Sequence, residues 1–151
     1  LKISRLVVLV AAAAVLACAG ACGKSSPTEP PPPPGGARNE SEPNDFSAQA
    51  LGTLTTTDFV VTGSISGGGD VDLYSVTAAD VFALYASLDW STASDLELTI
   101  SDANGVFVRH VDSAGHPEAC TTGALPAGTY TVRVGSLTLS GTSYQLALGR
   151  R

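Results

Sequence analysis

The chain has 151 residues, a length for one domain, and its 44% hydrophobic and 15% charged content fits a soluble domain joined to an apolar leader. After Cys22 it carries fourteen acidic side chains against six basic ones, a net of −8. That balance excludes a nucleic-acid partner, which needs a basic footprint, and is compatible with bound divalent cations.

The chain contains no methionine, so Leu1 reads as a non-standard or truncated beginning. Lys2 and Arg5 form a positive n-region, and Leu6 to Ala17 is an apolar run of about twelve residues, too short to span a bilayer and right for a signal peptide. Val15-Leu16-Ala17-Cys18 and Ala19-Gly20-Ala21-Cys22 both resemble a bacterial lipobox, whose cysteine is acylated. Cys18 has the better apolar residues upstream, Cys22 the more usual neighbours downstream, and either one is the expected lipidation site. Each buried CH₂ contributes about 0.8 kcal/mol, so two or three chains would hold the protein on a membrane. No Asp follows either cysteine, which by analogy with sorting rules favours the outer membrane or cell surface. Residues 1–22 are thus read as leader and lipobox.

Residues 23–38 read as a linker, with five consecutive prolines from Pro30 to Pro34 and then Gly35-Gly36. Such a run rises about 3.1 Å per residue and would hold a domain a few nanometres from its anchor, with the two glycines as a swivel. The domain is expected over 39–151. It opens on Asn39-Glu40-Ser41-Glu42-Pro43-Asn44-Asp45, where three carboxylates and an amide crowd together. On an extended chain stiffened by Pro43, Glu40, Glu42 and Asn44 would point to one side. Ca²⁺ takes six to eight oxygen ligands, so further donors are needed, and Asp70 and Asp72 in Gly67-Gly68-Gly69-Asp70-Val71-Asp72 are the obvious source. The alternative is a solvated acidic loop in which Asn44 and Asp45 cap the next turn, and Asp72 is only a structural acceptor.

Turn signals recur every eight to twelve residues, as in all-β domains. Residues 58–65 are β-rich. Tyr74 and Val76 share a face with Asp72 at its start, Leu96, Leu98 and Ile100 alternate inward, and Tyr130, Val132 and Val134 do the same before Tyr144 to Leu148 repeats the pattern. Phe82, Leu84, Ala86 and Leu88 fit a strand, although Val81, Leu84, Tyr85 and Leu88 also fit helical spacing; the all-β context decides for a strand. Asp102-Ala103-Asn104-Gly105 begins like a calcium loop, but its twelfth position is Ser113 rather than Glu, so it reads as a hairpin turn.

Three segments in order, Glu42-Pro43-Asn44-Asp45, Gly69-Asp70-Val71-Asp72-Leu73-Tyr74 and Ala127-Gly128-Thr129-Tyr130, resemble the bacterial pre-peptidase C-terminal domain, which is similar to the collagen-binding domain of clostridial collagenases. The resemblance covers roughly Asn39 to Leu148. It implies a jelly-roll-like antiparallel β-sandwich that does no chemistry, and a Glu-x-Glu-x-Asn-Asp calcium pattern matched by Glu40, Glu42, Asn44 and Asp45, with Asp70 and Asp72 in the acidic turn. Collagen binding itself is carried by no motif in this sequence.

Other candidates are weaker. His110, His116 and Cys120 are zinc-type residues at a spacing that fits no ligand rule, and read as loop residues, with Cys120 a buried or intermolecular thiol. Trp90 reads as a loop residue plugging the edge of the core, and Tyr85 as facing outward. No Gly-x-Ser-x-Gly, His-Glu-x-x-His or phosphate loop is present. The expectation is a non-catalytic, calcium-stabilised envelope lipoprotein that binds a protein or glycan. The alternative is an auxiliary factor aiding the folding, secretion or retention of a secreted peptidase.

Overall fold

A computed structural model describes residues 35–91, 94–113, 115–138 and 140–151. The leader, both lipobox cysteines and the proline run lie outside the described residues. Ten strands and no helix make up the rest: β1 (Gly36–Asn39), β2 (Gln49–Thr53), β3 (Phe59–Ile65), β4 (Val71–Ala78), β5 (Leu84–Trp90), β6 (Leu96–Asp102), β7 (Phe107–Val111), β8 (Glu118–Thr121), β9 (Gly128–Ser136) and β10 (Thr142–Arg150). They form two five-stranded sheets, ordered β1-β3-β10-β5-β8 and β2-β4-β9-β6-β7.

The strands form where apolar and polar residues alternate, because that pattern gives each strand one face to bury. β4, for example, buries Asp72, Tyr74, Val76 and Ala78 and turns Leu73, Ser75 and Thr77 away. Cross-strand register then assembles the core in rows. Val61, Leu146 and Leu88 lie side by side in one sheet, and Tyr74, Val132 and Ile100 in the other, all essentially inaccessible to solvent. The stretch that also fits helical spacing is strand β5, with Phe82 just before it bridged to Leu125. Asp102 makes the expected hairpin turn by accepting the Asn104 and Val106 N–H groups on Oδ1, both at 2.8 Å, while Gly105 takes φ +77°.

The β-sandwich follows expectation, but strand direction departs from a wholly antiparallel arrangement at two edges. β1 pairs parallel with β3, and β2 parallel with β4. Successive strands from β2 to β6 alternate between sheets, and such cross-sheet connections permit parallel neighbours that a tight hairpin forbids. The stretch read as linker also ends earlier than expected. Gly36, Ala37 and Arg38 belong to β1, so Gly36 is paired with Phe59 rather than serving as a swivel.

Leu146 sits in the central strand of its sheet, between Val61 and Leu88. Leu146→Ala should cost about 2–5 kcal/mol of stability, read as a lower urea midpoint at an unchanged slope.

Candidate functional site

β1 leaves its sheet at Asn39, and the chain crosses to the other sheet to begin β2 at Gln49. Gln49 fastens this crossing: its Oε1 accepts the Ser41 N–H and its Nε2 donates to the Asn39 carbonyl, both at 3.0 Å. The segment is not the stiff extension that Pro43 suggests. It bends at Glu42, and the Glu42–Pro43 peptide is cis.

Four of the six acidic or amide candidates meet here. Glu40, Glu42 and Asp72 each place a carboxylate oxygen within 4.8 Å of the other two. Asn44 is 1% exposed and lies against them. With its nitrogen turned to the cluster it donates to Asp72 Oδ1 at 2.9 Å and to Glu42 Oε2 at 3.3 Å; turned the other way it offers its oxygen instead. Glu40 Oε2 accepts the Ser64 N–H at 2.7 Å, whereas its Oε1 is buried with no hydrogen-bond partner among the described residues. Asp45 and Asp70 are adjacent but committed to the backbone. Asp45 Oδ1 accepts the Val71 N–H at 3.2 Å, and Asp70 Oδ2 accepts the Ser66 N–H across the glycine turn. The cluster therefore centres on Glu40, Glu42, Asp72 and Asn44, with Asp45 and Asp70 shaping its rim.

Two groups that sequence reasoning treated only as core residues complete the site. Tyr144 on β10 donates its hydroxyl to Asp72 Oδ2 at 2.5 Å, and the Tyr74 hydroxyl lies 2.5 Å from the Tyr144 oxygen. The tyrosyl tips were the available signal, since a buried phenol usually needs a partner. Gly63, directly across from Tyr144, makes room for that ring: a Cβ there would lie 2.4 Å from the Tyr144 oxygen.

Electrostatics follow from this crowding. Two carboxylates this close repel by about 3–4 kcal/mol at an effective dielectric near 20. Burial, together with the neighbouring Glu40, pushes the Asp72 carboxyl up to about 8. At Glu42 the Asn44 N–H bond pulls the pKa down, but burial and the nearby Glu40, Asp70 and Asp45 charges outweigh it and raise the group. Asp70 goes the other way: burial opposes ionisation, yet hydrogen bonds from Ser66 and from the Val71 N–H lower it. Both tyrosine hydroxyls are raised, chiefly by burial. Burial and the neighbouring carboxylates thus favour a proton held within the cluster when no cation is bound.

The zinc-type residues do not converge. His110 lies on β7, with Nδ1 3.0 Å from the Thr99 hydroxyl and Nε2 3.9 Å from Glu97. His116 pairs with Asp89 at 3.2 Å. Cys120 is a free, buried thiol in β8. Two of these three thus occupy strands rather than loops, because Thr99 and Ala86 lie across from them in the ladders. Trp90 likewise ends β5 instead of lying in a loop, 4% exposed, with its indole N–H donating to the Ser94 carbonyl at 2.6 Å. Tyr85 sits under the Arg151 guanidinium at 4.4 Å.

No protein-family description matches the chain, and no curated protein does. Among solved structures it is similar to the pre-peptidase C-terminal domain of collagenase from Bacillus anthracis, at TM-score 0.58 and 16% identity over 72% of this chain and 99% of that one. A second similar structure is a periplasmic inhibitor of g-type lysozyme from Aeromonas hydrophila, at TM-score 0.47 and 15% identity over 70% of this chain and 100% of that one. The chain thus carries a pre-peptidase C-terminal-like sandwich; at this identity the likeness is one of fold.

In chelator, Asp72 should be protonated in the folded chain and ionised in the unfolded one between pH 3.8 and about 8. The folded state then binds more protons, so stability should fall as pH rises through that window and level off above it. Melting temperature against pH reads this slope, and Asp72→Asn should flatten it.

Proposed function

We propose that this chain is a non-catalytic binding module whose sandwich is stabilised by a calcium ion at the crossing between the sheets. The observation that carries the reading is the convergence of Glu40, Glu42 and Asp72 within 4.8 Å, one of whose oxygens, Glu40 Oε1, is buried without a partner among the described residues. Hard carboxylate and amide oxygens suit Ca²⁺ over softer metals. Asn44 would add a fourth donor with its oxygen turned inward, and water would supply the remainder. The ion would displace the proton from Asp72 and remove the mutual repulsion of the carboxylates. It would hold β1, in one sheet, to β4, in the other, and so play a structural part. The shared fold with a collagenase accessory domain supports a binding role over chemistry. We place the module on the bacterial envelope, lipid-anchored through Cys18 or Cys22, most simply at the outer membrane or cell surface, with an envelope or extracellular protein or glycan as partner. This placement rests on the leader and lipobox residues.

At ten times its dissociation constant, Ca²⁺ should add about 1.4 kcal/mol of stability. Scanning calorimetry should show that rise in calcium over chelator, and Glu40→Gln or Glu42→Gln should abolish it. An identical melting temperature in both conditions would sink the calcium reading. Separately, labelled fatty acid should enter the chain in a bacterial host and be lost on Cys18→Ser or Cys22→Ser. Full incorporation in the double variant would refute the anchor.

A further inference from the structure

Away from the carboxylate cluster, the outer face of the first sheet carries a concavity of about 320 Å³ lined by Asp89, Trp90, Ser91, Ser143, Tyr144 and Gln145. The ladder builds it. Gln145 on β10 lies directly across from Asp89 on β5, and Ser143 stands two residues earlier, on the same side of the pleat. Trp90 and Tyr144 point the other way, into the core, and are almost wholly buried. The wall is mixed, with more apolar than polar surface, and its polar groups are a carboxylate, two hydroxyls and an amide.

Asp89 is positioned from one side. His116 Nδ1 lies 3.2 Å from Asp89 Oδ1, and the imidazole rests on the Trp90 ring at a centroid distance of 5.3 Å. Asp89 Oδ2, the Ser91 and Ser143 hydroxyls and the Gln145 amide make no hydrogen bond within the protein among the described residues. No arginine of the described chain pairs with Asp89. Arg133 is taken by Glu97, Arg150 by Asp80 and Arg151 by Asp58, while Arg38 lies over Phe59 and Arg109 faces the Cys120 thiol. From Gly35 to Arg151 the sequence contains no lysine.

We propose that this concavity receives a cationic side chain, arginine or lysine, presented by a partner polypeptide. Its open oxygens are acceptors grouped around one carboxylate, which is the complement of a guanidinium or ammonium group with several N–H donors. The acidic domain around it draws cations and repels anions. A glycan would find no stacking platform here, because the one indole is buried beneath His116. The inference rests on the binding-module reading and selects a protein over a glycan as its partner; it is independent of the calcium ion.

The test uses the full chain and Nα-acetyl-arginine amide, with Nα-acetyl-citrulline amide as the uncharged isostere and methyl β-glucoside as the sugar control, followed by amide NMR shifts. Saturable shifts at Asp89, Ser143 and Gln145 are expected for the arginine probe alone. Asp89→Asn should weaken it about tenfold or more, as loss of a charged hydrogen-bond partner does, and salt should weaken it as well. Asp89 is more than half exposed, so the variant should fold and keep any calcium-dependent melting rise; if it does not, Gln145→Ala replaces it. Absence of saturation, equal binding of citrulline, or glucoside binding in place of arginine would each overturn the proposal. Loss of the calcium effect with arginine binding intact would remove only the metal reading, and the converse result only this one.

Discussion

The hydroxyl that Tyr144 offers to Asp72 is the contact on which the carboxylate end of the sandwich depends. It joins β10 in one sheet to β4 in the other, inside the core, where an unpaired carboxylate would carry a severe desolvation cost. Everything nearby is arranged around it. Gly63 clears space for the phenol, Tyr74 supports its oxygen, and the buried Asn44 amide lies against Asp72 and Glu42. The carboxylates then have only two ways to coexist, by sharing protons or by sharing a cation. A fold that buries Asp72 has already imposed that choice before any partner arrives.

Much of the sandwich was legible in the residues. Strand identity follows from alternation, and the inward sets Leu96-Leu98-Ile100 and Tyr130-Val132-Val134 are buried as their period demands. What alternation does not encode is which strand lies beside which. The parallel pairing of β1 with β3 comes from a chain that re-enters beside a strand it does not directly precede, a relation with no local signature. For the same reason Gly36 reads as linker although it is held in a ladder. The acidic segment was legible as a cluster because composition marks it. Its internal division was not: that Asp45 and Asp70 would serve backbone N–H groups while Asp72 sinks into the core depends on where the glycine turn closes. The two tyrosine hydroxyls were hidden in plain apolar periodicity, since nothing in spacing tells a phenol that only packs from one that also bonds.

β10 links the two regions of interest. Tyr144 sends its side chain inward to the carboxylates, while Ser143 and Gln145, its immediate neighbours, face outward into the concavity. This is a direct result of the two-residue period, which puts consecutive residues on opposite sides of a sheet. One central strand thus contributes both to a buried electrostatic centre and to an open surface on the opposite side of its sheet. The outer faces of the two sheets also differ. On the second sheet Glu97 is engaged by Arg133, whereas on the first the Asp89 carboxylate keeps an oxygen open.

The parallel seam between β1 and β3 has a mechanical consequence. Polypeptide upstream of Gly35 enters the fold through β1, so tension on that side reaches the body through the four residues paired with Phe59 to Thr62. Pulled along its own axis, such a strand loads its ladder bonds together, in shear, instead of peeling them one after another like a zip. The next anchoring point behind it is Glu40, whose N–H reaches the Thr62 carbonyl at 2.9 Å and whose carboxylate grips Ser64. The entry strand and the first acidic side chain therefore act as a single strain-bearing clasp.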